Sequence, residues 1–189
     1  MIAIVDYGER PEYLLYQLEK LGMELKFTSV ESEILAADRI ILPDCKELKR
    51  AVKRLHLLNL FSMLRMIKKP VLGIGNGFAM MCEGTPVLNC EGLGFFPISV
   101  SLPDKVLSLP EKYSASTMEN SIYLDGEEFD GLYFEKFFQT SGGVYNVLCL
   151  TGDEALPAAC LNGRYGGLIF NPEFSGPAGN YLLNRFLSL

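Results

Sequence analysis

The sequence predicts an α/β fold with a mostly parallel sheet, helices on both faces of that sheet, and an antiparallel extension. In the first half of the chain, short apolar runs alternate with stretches of helical periodicity, which is the pattern of a parallel sheet. After residue 84 the pattern changes to short strands separated by turn residues. Hydrophobic residues make up 49% of the chain and charged residues 21%, as in ordinary globular proteins. A length of 189 residues suits a single domain over 1–189.

The first half of the chain contains four predicted strands and two predicted helices. Apolar runs predict the strands at residues 2–7, 24–29, 39–43 and 70–75. A helix is predicted over 11–21, because Pro11 suits a first helical turn and Gly22 a helix end. A longer helix is predicted over 46–69, with one apolar stripe that begins at Leu57.

The second half is predicted to consist mainly of strands. An antiparallel extension at the edge of the main sheet is expected from strands over 95–102, 121–124, 132–138 and 144–150. Residues 102–120 show no clear pattern. Strands at 155–161 and 165–171 flank Asn162-Gly163, a typical hairpin signal. A last helix is predicted over 179–187.

Composition excludes several classes of protein. The net charge of −6 argues against general affinity for nucleic acids. The chain lacks a signal-peptide pattern and any run of about 20 apolar residues, so we expect a cytoplasmic protein without a membrane span.

The five cysteines are odd in number and lie far apart, which favours reduced thiols over a disulfide framework. His56 is the single histidine, and the cysteines are not spaced as metal ligands. We expect neither a metal nor a cofactor.

Basic residues concentrate between Lys46 and Lys69. Eight of the 17 lysines and arginines lie there, against a single acid, Glu47. Three interpretations are open: a solvated helix face, a docking surface for an acidic partner, and an anion-binding surface.

Two segments have the frame of a catalytic site without its reactive groups. Residues 71–78 predict a strand, a sharp turn and a helix, the arrangement that exposes a nucleophile above a parallel sheet. Gly75, at that turn, has no side chain. Residues 169–176 end a strand with Asn171, two positions before Glu173, where a base oriented by a carboxylate is expected. An asparagine amide cannot take up a proton near neutral pH.

Together with these segments, the order of elements resembles one known family from Met1 to the last helix. The segments that carry the resemblance are Met1-Ile-Ala-Ile-Val-Asp-Tyr-Gly8, Arg39-Ile-Ile-Leu-Pro43, Lys69-Pro-Val-Leu-Gly-Ile74, Glu91-Gly-Leu-Gly94 and Asn171-Pro-Glu-Phe-Ser-Gly176. They resemble the class I glutamine amidotransferases, and most of all the glutaminase subunit of imidazole glycerol phosphate synthase, from histidine biosynthesis. The resemblance implies a flavodoxin-like fold.

The resemblance also implies where the family's catalytic residues would lie. The family's cysteine falls on Gly75, its histidine on Asn171 and its glutamate on Glu173, so only the last is retained. The family's Pro-Gly-Val-Gly strand, which supplies an oxyanion donor and faces the synthase subunit, falls on residues 43–46 without its glycines. A histidine-serine pair of the family falls on the segment Glu135-Lys136-Phe137. These three triad positions are therefore predicted to be vestigial, with no catalytic residues.

Other residues are candidates for replacing the missing groups or for contacting a ligand. Cys45 follows the third predicted strand, at the same edge of the sheet as the sharp turn at Gly75. No histidine is placed to activate its thiol. Cys82 lies about two helical turns after Gly75 and is predicted to be in the core. His56 is expected to be a partly exposed helix residue. Glu173 is expected either to bond the Asn171 amide or to contact a ligand.

A pocket that remains from the family's active site would lie at the same edge of the sheet. It would be lined by Asp44, Cys45, Asn76, Gly77 and Phe78.

Three functions are compatible with this sequence. The first is a non-catalytic subunit that binds or regulates a partner, such as a cyclase or synthase-type protein. The second, implied by the resemblance alone, is an active glutaminase that supplies ammonia to a histidine-biosynthesis synthase. The third is a small-molecule binding module for an amino-acid-like ligand.

Overall fold

The computed structural model describes residues 1–85, 89–104, 107–118, 121, 123–124 and 127–189. The strands in these residues are β1 (Ile2–Val5), β2 (Leu25–Thr28), β3 (Arg39–Leu42), β4 (Val71–Ile74), β5 (Cys82–Thr85), β6 (Cys90–Glu91), β7 (Phe96–Ser101), β8 (Glu111–Thr117), β9 (Glu128–Phe134), β10 (Gln139–Thr140), β11 (Asn146–Leu150), β12 (Asp153–Asn162) and β13 (Tyr165–Leu168). The helices are α1 (Glu12–Lys20), α2 (Glu31–Ala36), α3 (Leu48–Leu57), α4 (Leu60–Arg65), α5 (Asn76–Met81) and α6 (Gly176–Leu187), with a short 3₁₀ helix at Pro172–Phe174.

A nine-stranded sheet with the order β2-β1-β3-β4-β13-β12-β11-β8-β9 forms the centre of the molecule. The strands from β2 to β13 pair in parallel, and β12, β11, β8 and β9 continue the sheet in antiparallel pairing. The α/β class and the antiparallel extension are confirmed. The sheet is less parallel than predicted, because its antiparallel half is almost as wide as its parallel half.

Helices cover both faces of this sheet, as β13 demonstrates. A Cβ added to Gly166 would meet the Phe186 ring of α6 at 2.5 Å, whereas one added to Gly167 would meet the Phe78 ring of α5. Neighbouring strand residues point to opposite faces, so α5 and α6 lie on opposite sides of the sheet. Glycine at both positions lets these helices approach the strand closely.

A second, smaller sheet has the strand order β10-β7-β5-β6, and one prediction is wrong there. The strand predicted over 95–102 exists as β7, but it does not extend the main sheet. It pairs in parallel with β5 and antiparallel with β10. The alternation in Phe96–Ser101 is that of a strand with one buried face, and this alternation carries no information on which sheet contains the strand.

The helix predicted over 46–69 is two helices, α3 and α4, separated at Asn59. Asn59 has a φ of 57°, a left-handed conformation that asparagine tolerates better than most residues. The break redirects the apolar stripe, so Leu57 is 74% exposed while Leu60 is buried. The single-stripe prediction was therefore wrong, and α2 was not predicted at all.

Several strand boundaries also differ from the predictions. The strand predicted over 132–138 lies earlier, at β9, because the apolar residues that follow β9 are buried in an irregular segment. Residues 121, 123 and 124 form no strand, since the Ser121 hydroxyl accepts the backbone N–H groups of Tyr123 and Leu124, and residue 122 lies outside the described residues. The hairpin predicted at Asn162-Gly163 is confirmed between β12 and β13.

Within the described ranges, no helix is long and apolar enough to cross a membrane.

Candidate functional site

Gly75 connects β4 to α5 through a sharp turn. Its φ of 54° and ψ of −118° form a conformation that residues with a side chain rarely adopt. The Gly75 N–H donates to the Leu168 carbonyl of the neighbouring strand at 2.8 Å, which fixes the turn to the sheet. The strand, turn and helix predicted for residues 71–78 are present, with the geometry of a nucleophile elbow.

The Asp44 carboxylate occupies the space into which a side chain at position 75 would project. A Cβ built on Gly75 would meet the Asp44 Oδ1 and Oδ2 atoms at 2.5 and 2.7 Å. Oδ1 accepts two backbone hydrogen bonds, from the N–H of Asn76 and the N–H of Cys45, each at 2.8 Å. In a nucleophile elbow, the N–H after the nucleophile and one from a neighbouring loop form the oxyanion hole. Here the corresponding pair of donors holds a side-chain oxygen of the chain itself.

Lys136 neutralises this carboxylate. Its Nζ lies 2.7 Å from both Asp44 oxygens and 3.4 Å from the Cys45 carbonyl oxygen. The Asp44 and Lys136 side chains are only 12% and 22% exposed, so solvent screens the pair weakly. The Asn171 side-chain amide adds a weaker bond, 3.3 Å from Nδ2 to Asp44 Oδ2.

The loop that carries Asp44 is also fixed through its carbonyl groups. The Asn76 amide donates to the Cys45 carbonyl at 2.6 Å, and the buried Tyr7 hydroxyl donates to the Pro43 carbonyl. Gly77 packs directly against the Leu42 carbonyl. These contacts hold the carboxylate of residue 44 over the elbow.

Asn171 and Glu173 lie beside the Asp44 carboxylate. Asn171 is 3% exposed, and its backbone is held by Tyr133 and by the Ser175 hydroxyl. Burial, together with the negative charges of Asp44 and Glu135, raises the pKa of the Glu173 carboxyl from 4.5 to about 7. Among the described residues, Asn171 Oδ1 and Glu173 Oε2 are buried without a hydrogen-bond partner.

A cleft of about 340 Å³ opens next to these residues. It is lined by Glu9, Arg10, Pro11, Glu12, Tyr13, Asp44, Cys45, Lys46, Glu135, Asn171, Glu173 and Phe174. A second cleft of about 380 Å³ shares Tyr13, Glu173 and Phe174 with the first, so the two clefts meet at these residues.

Of the five predicted ligand contacts, only Asp44 and Cys45 line this cleft. Asn76 is buried with its amide bonded to a carbonyl, and Gly77 is covered by the end of β3. The prediction that Phe78 forms a wall of the pocket needs correction. Its ring is fully buried and meets Phe96 edge-on at 5.4 Å, because α5 directs it into the core.

Among the described side chains, the thiols and the histidine offer no activated nucleophile or base near the elbow. Burial, together with the negative charge of the Asp44 carboxylate, raises the pKa of the Cys45 thiol to about 12. Cys82 is fully buried, and burial raises the pKa of its thiol. His56 is exposed on α3 and stacks on Phe61 at 4.2 Å. Free thiols in the described residues are Cys45, Cys82, Cys149 and Cys160, while the Cys90 side chain lies outside them.

The basic segment 46–69 is not a continuous cationic surface. Arg65 pairs with Glu91 at 2.8 Å, and Lys69 donates to carbonyl oxygens at the end of α2. The exposed basic residues that remain on α3 include Lys49, Arg50 and Lys53. A docking role for these residues stays a prediction.

Sequence reasoning missed Lys136 as a site residue. The signal was present, since charged residues stand at two positions where the resemblance places uncharged ones, Asp44 for a glycine and Lys136 within the histidine-serine segment. Opposite charges at two such positions would favour a contact between the two side chains wherever the fold brings their segments together. Among the described residues, no cluster of three or more acidic, histidine or cysteine side chains could hold a metal ion.

Comparisons with known proteins agree with this architecture. No protein-family model matches the chain. The chain is 26% identical over 200 aligned positions to an imidazole glycerol phosphate synthase subunit HisH of Vibrio parahaemolyticus, covering all of this chain and 98% of that protein. It is 29% identical over 178 positions to a HisH subunit of Idiomarina loihiensis, covering 92% of this chain and 90% of that protein.

A solved structure supports the fold. The crystal structure of a glutamine amidotransferase superposes with a TM-score of 0.79 at 15% identity, over 99% of this chain and 97% of that one. That identity supports the fold alone, whereas the similarity to the two HisH subunits extends along the sequence. Taken together with the elbow geometry, these similarities show that the chain resembles the class I glutamine amidotransferases along nearly its whole length.

Proposed function

We propose that this protein is a catalytically deficient member of its family, a non-catalytic subunit that binds or regulates a partner protein. The Asp44 carboxylate within the elbow carries this proposal. Amide hydrolysis by a thiolate requires a nucleophile and N–H donors that are free to stabilise the developing oxyanion. Here Gly75 offers no nucleophile, and a carboxylate already holds the N–H groups of Asn76 and Cys45. The same carboxylate would repel any new negative charge.

The neighbouring groups support the same conclusion. Asn171 cannot act as a base, and Cys45 with a pKa of about 12 is almost entirely a neutral thiol at physiological pH. Loss of one triad member in a comparable mechanism already costs on the order of 10⁴ in rate. An active glutaminase would therefore need a nucleophile and a base that the described residues do not bring to this cleft.

The partner we propose is a synthase- or cyclase-type subunit. The HisH relatives are named as subunits of imidazole glycerol phosphate synthase, and the chain aligns with them over nearly its whole length. The loop at residues 43–46 is held on several sides by hydrogen bonds. A rigid loop at the edge of the sheet is suited to binding, since little conformational entropy is lost on association.

A glutaminase assay tests the catalytic part of this proposal. Ammonia release from glutamine is measured for the protein alone and with the cyclase subunit of an imidazole glycerol phosphate synthase. We expect no turnover above a protein-free blank. Turnover that a thiol reagent blocks and Cys45→Ser abolishes would refute the proposal and identify Cys45 as a relocated nucleophile.

A separate experiment tests the partner. The tagged protein is isolated under gentle conditions from its native host, and the mass of the purified species is measured by light scattering. We expect a stoichiometric complex with a second protein. A strict monomer without a co-purifying protein would count against a subunit role and would favour a free-standing binder.

The second candidate function is small-molecule binding, which the pair of connected clefts favours. Thermal-shift screening against amino acids and their phosphates is its first test. An increase in melting temperature with glutamine itself would support an amino-acid-like ligand.

A further inference from the structure

Two buried acceptor atoms beside the first cleft are unsatisfied. Asn171 Oδ1 and Glu173 Oε2 have no hydrogen-bond donor among the described residues, although both residues line the cleft and Asn171 is only 3% exposed. A buried acceptor without a donor costs about 1–3 kcal/mol, so its persistence requires an explanation. Both atoms are acceptors, so the missing group is a hydrogen-bond donor.

The charges around these acceptors have a negative excess. Arg10 pairs with Glu12 at 3.1 Å, and Lys136 pairs with Asp44. Glu9, Glu135 and Glu173 form no salt bridge with another described residue, and only Lys46 stands against them at the cleft. The Glu9 carboxylate accepts the backbone N–H of Lys46 at 3.1 Å, which leaves its charge uncompensated. A cation in this cleft would restore the balance.

Aromatic rings adjoin the acidic end. The rings of Tyr13 and Phe174 lie 5.2 Å apart with a tilt of 59°, and both border the two connected clefts. Tyr13 is 68% exposed, so its ring is available to a ligand. Aromatic faces beside carboxylates attract ammonium and guanidinium groups and pack against their carbon chains.

We infer that the connected clefts bind the cationic end of an extended ligand, an alkylammonium or guanidinium group that Glu173 and Glu135 hold while its carbon chain lies over Tyr13 and Phe174. Glu173 lines both clefts and the residue is only partly buried, so a rotation of its side chain into the cleft would expose the carboxylate to the ligand. The cation comes either from a free amine or from a lysine or arginine side chain of a protein. The inference rests on the proposed function only in that the site is not used for glutamine hydrolysis.

Protonation of Glu173 competes with such a ligand. Its charged neighbours come from three segments. They are Asp44 and Lys46 on the loop after β3, Glu135 and Lys136 after β9, Glu9 and Arg10 before α1, and Glu12 at the start of α1. A bound cation favours the ionised carboxylate, so binding releases a proton near neutral pH. The affinity is expected to fall about tenfold between one pH unit above and one below the Glu173 pKa, because the ionised fraction falls by that factor.

Isothermal titration calorimetry with pentylamine, pentanol and agmatine tests the site. Pentylamine and pentanol share a carbon chain and differ in the charged end. We expect saturable binding of pentylamine and agmatine, with the pH dependence given above, and none of pentanol. Glu173→Gln is expected to weaken pentylamine at least about tenfold and to remove the pH dependence. Glu135→Gln is expected to weaken it less. Glu31→Gln, on α2 and outside both clefts, is the matched control and should change nothing.

The two sources of the cation are separated by comparing agmatine with acetyl-arginine amide. Tighter binding of the capped arginine indicates a protein side chain, and tighter binding of agmatine indicates a free amine. No saturation by any cation below about 10 mM, equal binding of pentanol, or full retention of binding in Glu173→Gln would overturn the inference. The glutaminase assay tests the proposed function separately, so failure of one does not imply failure of the other.

Discussion

Replacing Gly75 by alanine tests whether Asp44 fills the elbow. The substitution adds one methyl group at a turn whose φ is 54° and ψ is −118°. The new Cβ would lie 2.5 and 2.7 Å from the two carboxylate oxygens of Asp44, closer than van der Waals contact allows. Either the turn or the carboxylate must move.

Two contributions set the size of the effect. Backbone strain for a residue with a side chain in such a conformation costs about 1–3 kcal/mol. Displacing the carboxylate weakens its bonds to the Asn76 N–H and to Lys136, and a hydrogen bond to a charged group contributes about 1.5–3 kcal/mol. We therefore expect Gly75→Ala to lower the free energy of unfolding by about 4 kcal/mol.

Urea unfolding with linear extrapolation measures this loss. Gly163→Ala is the matched control, because Gly163 has a φ of 59° and a Cβ added there would meet nothing within 4 Å, so the control reports strain of about 1 kcal/mol alone. Adding Asp44→Gly to Gly75→Ala removes the collision, so the double variant should be more stable than the sum of the single losses by about 2 kcal/mol. Two results together would refute the placement of Asp44. They are equal losses of unfolding free energy in Gly75→Ala and Gly163→Ala, and additive effects of Gly75→Ala and Asp44→Gly in the double variant.

Three further predictions concern the same site. Lys136→Met leaves the Asp44 charge unpaired and should lower the free energy of unfolding, measured in urea, by about 2 kcal/mol. Asp44→Asn in the same chain should restore this loss, and a double variant without such recovery would contradict the pairing. The folded state binds more protons than the unfolded state between pH 4.5 and about 7, because the pKa of Glu173 is raised, so stability falls as pH rises through this window. Glu173→Gln should remove up to about 3 kcal/mol of that dependence, and an unchanged pH profile would argue against the buried carboxyl. Cys45 in the folded protein should react with iodoacetamide about 10³-fold more slowly than a free cysteine. Mass spectrometry follows the reaction, and the urea-unfolded chain is the control. Rapid modification of the folded protein at Cys45 would show an activated thiol.

Local patterns predicted those parts of the fold that depend on neighbouring residues. The strand, turn and helix at residues 71–78 follow from a buried apolar run, a glycine and a helical period, so the elbow was predictable. The hairpin at Asn162-Gly163 follows from turn chemistry in the same way. In contrast, the break at Asn59 depends on which face of α4 meets the core, and the alternation of β7 does not specify its partner strands.

The contents of the site could not be predicted to the same extent. Asp44 and Lys136 are separated by 92 residues and meet because the segment after β9 passes near the end of β3. This proximity depends on the order of nine strands, which no local pattern encodes. Phe78 was misplaced for a related reason, since the helical phase of α5 directs its ring toward Gly167 and away from the cleft.

The departures from the family pattern converge on a single carboxylate. Gly75 leaves the space that the Asp44 carboxylate fills, Lys136 neutralises it, and the Asn171 amide donates to it, where a histidine in the family would serve as base. Lys136 and the Asn171 amide both stabilise the Asp44 carboxylate in this position, because a buried carboxylate requires both a counter-charge and donors. Restoring a thiol at position 75 alone would place it against a negative charge, which disfavours a thiolate. The loss of the reaction that we propose would therefore be structurally coupled across the site. Glu173, the one triad position that keeps the family's residue, has a buried oxygen without a donor among the described residues, and this is the carboxylate that we infer binds a ligand's cation.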